Sequence, residues 1–295
     1  MNSEKKRRVP LFLLVTALYW FALYSYVPTL STYAIKIGAS LSMVGLISGS
    51  YGLMQLIARL PIGILSDRFR QRKLYIILGL GFTALAAAGM MTLRTPTALL
   101  IFRAVSGIAA SMWVAFTVLY SGYFSPEQSV KAIGVINAVN LAGQSLANFL
   151  GGALNEAFST DYAGFWLAVI AGVIGFILSF FITEDRSAKD DKEPIRLIDL
   201  ADVAKNKALI ATSILAIMAQ FISFSAIISF APVLAKDLGA SDAQLGLLSM
   251  LATIPGIFTS MLAGSAGEFS GMSCTRSMTL SVLRLQRLMS DSPTT

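Results

Sequence analysis

"GILSDRFRQRK", residues 63–73, packs five charges (Asp67, Arg68, Arg70, Arg72 and Lys73) into eleven residues. More than twenty mostly apolar residues flank it on each side. A short cationic hairpin between two long apolar runs is the pattern of two membrane-crossing helices meeting on the side that Lys and Arg favour. The rest of the chain extends that pattern. Hydrophobic residues make up 55% of it and charged residues only 13%, against about 25% in soluble domains. Lipid is therefore the expected solvent for most of the chain. The net charge of +7 gathers at the ends of apolar runs and not on a basic face between aromatics, so no nucleic-acid partner is expected. There is no histidine and one cysteine, Cys274. That excludes an internal disulfide, zinc sites built on His or Cys, and histidine-dependent triads. No catalytic residue, metal or cofactor is expected, and Cys274 reads as an inert thiol.

A helix needs roughly 20 apolar residues to cross a bilayer. Eight candidate spans read out at about 10–35, 39–65, 74–93, 96–121, 130–154, 162–183, 208–234 and 242–264. Pro10 and Pro96 suit first-turn positions, Ser125-Pro126-Glu127-Gln128 reads as a cap, and Ser241 with Gln244 has capping-box spacing. The first run is too long for a signal peptide and is followed by further spans, so a retained helix is expected. With the N-terminus inside, the inner segments carry fifteen Lys and Arg against three outside (Lys36, Arg94 and Lys236). The N-terminus is therefore expected in the cytoplasm. Residues 184–207 are polar with mixed charge and read as a cytoplasmic linker. Within it, residues 195–201 have the pattern of a short interfacial helix, although a solvated linker explains them as well.

The chain also repeats itself. "IGASLSMVGLISG" at 37–49 returns as "LGASDAQLGLLSM" at 238–250. Gly38, Ala39, Ser40, Gly45 and Leu46 match Gly239, Ala240, Ser241, Gly246 and Leu247 at a constant offset of 201. Pro28 has a displaced counterpart in Pro232. Two halves with six spans between corresponding points are a duplicated architecture common among secondary carriers.

On these residues the sequence resembles the major facilitator superfamily (MFS). That family carries Gly-x-x-x-Asp-Arg-x-Gly-Arg-Arg/Lys between its second and third helices. Gly63, Asp67, Arg68, Arg72 and Lys73 match, while Arg70 replaces the second glycine and Gln71 the first basic residue after it. The resemblance implies a gating loop in which Gly63 lets helices approach closely and the contacts of Asp67 break during switching. Arg70 would be expected to exchange a tight glycine turn for a helical one. A second family feature is the arginine of the fourth helix, matched by Arg103 with Gly107 after it. A guanidinium at the centre of a span costs about 2.5–3.5 kcal/mol on insertion scales. Arg103 should therefore face other helices or a wet cavity, or else snorkel to the outer interface. The antiporter Gly-Pro of helix five is absent, since Ala147-Asn148 stands in its place.

Helix five instead carries Asn137, Asn140, Gln144 and Asn148 on one face, spaced three, four and four apart. These amides need cavity water, substrate or interhelical partners. Tyr19, Tyr26 and Tyr33 recur every seven residues along the first span, and Gln220 with Ser223 marks the seventh. The resemblance implies that helices one, four and seven line a central cavity, which makes Tyr19, Tyr26, Arg103 and Gln220 candidate contacts. Tyr33 fits an interfacial belt better. Ser249, Thr253, Gly256 and Ser260 share a face of the eighth span that suits close packing. No Asp or Glu lies inside any span. A proton as coupling ion is therefore unsupported by these helices, and Arg103 favours a neutral or anionic solute over a cation.

After residue 264 the chain turns polar, where the second copy of the hairpin motif falls due. Glu268 and Gly271 sit at the expected offsets, but the basic residues do not follow. This reads as a premature end to a twelve-helix carrier, by frameshift. The other reading is an intended tail, amphipathic through Val282, Leu283, Leu285 and Leu288. The expectation is an all-α polytopic membrane protein: a six-helix MFS-like bundle (1–183), a cytoplasmic linker (184–207), two helices of a second bundle (208–264), and an aberrant or disordered polar tail (265–295). It should sit in the plasma membrane, with the lipid bilayer and a small solute as partners, and transport by alternating access. The alternative is a non-transporting membrane remnant or interaction subunit.

Overall fold

The structure is a computed structural model and describes residues 3–184, 210–211, 214–215, 217–218 and 228–262. The expected linker beyond residue 184, Gln220, Ser223, Gly264, Cys274 and the tail lie outside the described residues.

Helices α1 (Ser3–Tyr24) and α2 (Val27–Lys36) together make the first span. They break at Ser25 and Tyr26 because Pro28, in the first turn of α2, has no N–H for the carbonyl of Tyr24. The Ser25 hydroxyl then donates to the Gly164 carbonyl at 2.9 Å, which seats the break against the sixth span. Helix α1 begins seven residues before Pro10, so that proline lies inside the helix and not in its expected first turn. Next come α3 (Leu41–Phe69) and α4 (Arg72–Thr92), then α5 (Pro96–Ser111) continuing into α6 (Trp113–Ser121) as the fourth span. Pro96 occupies the first turn of α5, and Thr95 caps it by accepting from the Ala98 N–H at 3.2 Å. Helices α7 (Pro126–Ala157) and α8 (Ala163–Ser179) complete six antiparallel spans.

Later in the chain come α9 (Ala231–Asp237) and α10 (Asp242–Leu262). Among the described residues, five helical stretches are long and apolar enough to cross a membrane: Arg8–Lys36, Leu41–Phe69, Arg72–Thr92, Pro96–Ser121 and Asp242–Leu262. Helix α8 is apolar but 17 residues long, and the four amides of α7 dilute its hydropathy. No strand occurs among the described residues. The fold is all-α and the protein is a multi-pass membrane protein.

The bundle core is aromatic. Phe12, Tyr19, Phe116 and Tyr120 are fully or almost fully buried, and the Tyr19 and Phe116 rings stack at 4.6 Å. Helices α3 and α5 approach each other backbone to backbone. There a Cβ on Gly107 would lie 2.3 Å from the Tyr51 carbonyl oxygen, so only glycine fits.

The sequence repeat is a structural repeat. In the first copy Ile37, Gly38 and Ala39 N–H groups donate to the carbonyls of Tyr33, Ile35 and Ala34. In the second, Leu238, Gly239 and Ala240 donate to Leu234, Lys236 and Ala235, each pair displaced by the same offset. Gly38 and Gly239 take φ of +95° and +91°, a left-handed turn that favours glycine. Ser40 then caps α3 through the Met43 N–H at 3.2 Å. Ser241 caps α10 through Gln244 N–H at 3.3 Å, and the Gln244 side chain returns to the Ser241 N–H at 2.9 Å, a complete capping box.

Candidate functional site

Two places in the bundle combine polar chemistry with restricted geometry: the cationic hairpin at one end, and a cavity in the middle. The hairpin is held by Glu184, a residue the sequence reading left in the linker. Its carboxylate accepts from the backbone N–H groups of Arg72 at 2.7 Å and Lys73 at 3.2 Å, and so caps the first turn of α4. Lys73 Nζ donates to the Phe180 carbonyl at 2.6 Å. Arg72 pairs with Asp67 at 3.1 Å across the turn. The loop is thus tied to the end of the sixth span, while Arg68 makes no described ion pair. Gly63 is not at a tight contact among the described residues, since a Cβ there would find Val114 at an ordinary 3.9 Å.

Arg70 departs from expectation. It does not turn the loop into a helical one but takes the left-handed conformation itself, with φ 49° and ψ 39°. An L residue in that region costs about 1–2 kcal/mol, which glycine avoids. Arg70→Gly is therefore expected to raise stability by about 1 kcal/mol, read as a higher midpoint in thermal unfolding of the purified protein.

The cavity, about 390 Å³, lies between the first bundle and α10. Trp20 and Tyr24 of α1, Val27 of α2, and Tyr51 and Gln55 of α3 form one wall. Asn140, Leu141, Gln144 and Asn148 of α7 form a second, and Ile228 with Ser249, Ala252, Thr253 and Gly256 of α10 closes the third. Three of the four α7 amides therefore share the cavity, while Asn137, one turn nearer the hairpin end, is half-buried and outside the lining. Gln144 Nε2 donates to Asn140 Oδ1. Asn148 is 3% exposed and its Oδ1 has no partner, and the Trp20 indole N–H, at 5%, has none either.

Tyr19 and Tyr26 do not line the cavity. Tyr19 is fully buried against Trp20 and Phe116, and its hydroxyl donates to the Ala109 carbonyl. Tyr26 stacks on Phe165 at 5.1 Å. The helix break at Ser25 and Tyr26 interrupts the heptad spacing, so the three tyrosines do not continue as one cavity face. Tyr33, expected at an interface, is 3% exposed between Tyr162 and Phe165.

Arg103 does not snorkel. It is 2% exposed, lies 4.3 Å over the Tyr51 ring and 5.6 Å over Tyr26, and donates to the Tyr26 hydroxyl at 3.2 Å. The aromatic faces stabilise the desolvated guanidinium. Tyr51 lines the cavity and Arg103 does not, so the charge sits one ring behind the wall.

At the end opposite the hairpin, α7 meets α10. A Cβ on Gly152 would lie 2.2 Å from the Asp242 carbonyl oxygen, and one on Gly246 would lie 2.6 Å from the Asn148 carbonyl oxygen. Ser145 and Thr253 hydroxyls meet at 2.6 Å further along. Beyond the apolar part of α7, Glu156 accepts from the Ala243 N–H at 2.9 Å at the start of α10. Hydrogen bonds from Ser241 and then from the Ala243 N–H hold its carboxyl below the usual carboxylate range. A carboxylate so held keeps its contact above the ordinary pKa and loses it as pH falls through the lowered one. The distance between spin labels at the end of α7 and the start of α10 is therefore expected to stay constant from about pH 8 to 5 and to lengthen only as pH falls through the lowered carboxylate range.

A profile described as Major Facilitator Superfamily matches residues 12–283. Among curated proteins, the uncharacterized MFS-type transporter MJ1560 of Methanocaldococcus jannaschii is 27% identical over 169 residues, 57% of this chain and 43% of the relative. The inner membrane transport protein YajR of Escherichia coli is 27% identical over 177 residues, 59% of this chain and 38% of the relative. The chain matches less than half the length of these relatives. Among solved structures, the human organic anion transporter MFSD10 (TETRAN) superposes with a TM-score of 0.61 at 18% identity, covering 89% of this chain and 73% of that one. That likeness concerns the fold.

Proposed function

The chain belongs to the Major Facilitator Superfamily, a family of membrane transporters, and we propose that it carries a small solute by alternating access through the cavity between its first bundle and α10. The observation that carries this reading is the cavity itself. It joins amides and hydroxyls to aromatic rings, has no charged side chain in its lining among the described residues, and lies between a six-span unit and the start of its repeat. The hairpin end is cytoplasmic on the distribution of Lys and Arg, and the membrane is the plasma membrane. The contact of Gly152 with Gly246, together with Glu156 on Ala243 and α2 against α9, then closes the outer side. Residues 1–183 act as one bundle and 208–264 as part of the second, joined by a linker over 184–207.

Gly63, Asp67, Arg68, Arg72 and Lys73 serve as the gating loop in this reading, with Glu184 as their anchor to the sixth span. Asn140, Gln144 and Asn148 contact the solute. Arg103 positions Tyr51 and does not touch the solute. Gln220 remains a proposed contact from the seventh span. No carboxylate lines the cavity among the described residues, so coupling to a proton would need groups elsewhere.

The test uses the cysteine-free background that Cys274→Ser makes available, into which one cysteine is introduced. Ser249→Cys in proteoliposomes is expected to react with impermeant reagents from either side. Reaction from one side only would overturn alternating access and favour a non-transporting membrane subunit.

A further inference from the structure

We infer that the cavity takes an uncharged solute with a flat apolar body that carries both a hydrogen-bond donor and an acceptor. The inference rests on the transport reading and narrows it to a substrate class. Two orphaned atoms define what the solute must supply. Asn148 Oδ1 is a buried acceptor without a donor, and the Trp20 indole N–H is a buried donor without an acceptor. Unmet polar atoms of this kind are costly, so a ligand that meets both gains more than its contact area alone provides. The rings of Trp20, Tyr24 and Tyr51 stand on the same wall, Trp20 and Tyr24 tilted 51° to one another, and each offers a planar aromatic group for a flat apolar body to pack on.

The charge argument is independent of the orphans. No Asp, Glu, Lys or Arg lines the cavity among the described residues, and a buried charge without a partner is strongly disfavoured. A cation brought against Tyr51 would also be repelled by Arg103, whose guanidinium already lies 4.3 Å over that ring. An anion would be drawn towards that charge but could not reach it, because Arg103 is 2% exposed behind Tyr26 and Tyr51. The neutral solute is what remains.

The experiment measures protection of Ser249→Cys, in the Cys274→Ser background, against alkylation in lipid nanodiscs. The probes are two matched triads: indole-3-acetamide, indole-3-acetate and tryptamine, and 2-naphthamide, 2-naphthoate and 2-naphthylmethylammonium. The two amides should protect at concentrations at least about tenfold below their charged partners. Asn148→Leu and Trp20→Phe should each weaken amide protection about tenfold, the equivalent of one lost hydrogen bond to a buried group. Both variants should keep the unprotected labelling rate, which shows that the cavity is intact. Stronger protection by a carboxylate or ammonium would overturn the inference while leaving transport standing. So would absence of amide protection, or amide protection untouched by both substitutions. A cysteine that does not label at all would remove the open cavity, and with it both the transport reading and this one.

Discussion

Gly107→Val is expected to leave the first bundle without a stable fold. The Cβ would sit 2.3 Å from the Tyr51 carbonyl oxygen, and the neighbouring atoms are backbone, not the end of a flexible side chain. Helices α3 and α5 would have to separate. Separation would also lift Tyr51 from Arg103, one helical turn away on α5, and leave the guanidinium buried without its ring. The two effects compound to a loss of at least about 3 kcal/mol, since overpacking and an uncompensated buried charge each cost that order. Fluorescence-detected size exclusion in mild detergent checks it: a monodisperse peak with an unchanged melting point would contradict the close approach.

Gly152→Val is expected to separate transport from folding. Its Cβ would meet the Asp242 carbonyl oxygen at 2.2 Å and Gly246 at 3.0 Å, both on the α10 side of the cavity. The first bundle keeps its own contacts, so its melting point should move little. The outward-closed arrangement should become unfavourable by about 3 kcal/mol, a shift in population of about two decades. Flux should fall by about that factor. Gly246→Val should do the same, because a Cβ there meets the Asn148 carbonyl oxygen at 2.6 Å. Gly45 is the repeat counterpart of Gly246 and has no described atom within 4 Å of a Cβ. Gly45→Val therefore serves as the control that leaves this closed contact alone. Equal loss from all three variants would point to a general effect of valine.

The cavity was partly legible before any coordinates. Asn140, Gln144 and Asn148 announced themselves because helical spacing puts residues four apart on one face, and four amides in an apolar run need a polar destination. Asn137 obeys the same spacing yet lies outside the lining, because the cavity ends a turn before it. Tyr19 failed as a lining residue for a different reason. It precedes the break on α1, and its side of that helix packs on Phe116 and the Ala109 carbonyl while its neighbours Trp20 and Tyr24 reach the cavity. The break at Ser25 and Tyr26 explains only why Tyr26 does not continue the same face. Trp20, Tyr24, Tyr51 and Gln55 had no signal of their own. Aromatic residues and a lone glutamine in an apolar span look alike whether they pack against a neighbour or border a void.

The hairpin shows the same division. Its charges and place between apolar runs were readable, as was the anomaly at Arg70. That Arg70 keeps the left-handed turn instead of replacing it is a property of the backbone, which composition does not encode. Glu184 lies 117 residues from Asp67 in the chain, and only the return of the sixth span brings it to the N-terminus of α4.

The sequence by itself determined the solvent, the all-α membrane class, the repeat and the family, because hydropathy, charge placement and the paired Gly-Ala-Ser turns are local properties repeated along the chain. Only the tertiary structure decided which face of each helix is wet, that Arg103 is stacked behind Tyr51, and that Gly152 meets Gly246. Those depend on how close two backbones come, and that distance is set by every residue in the contact together.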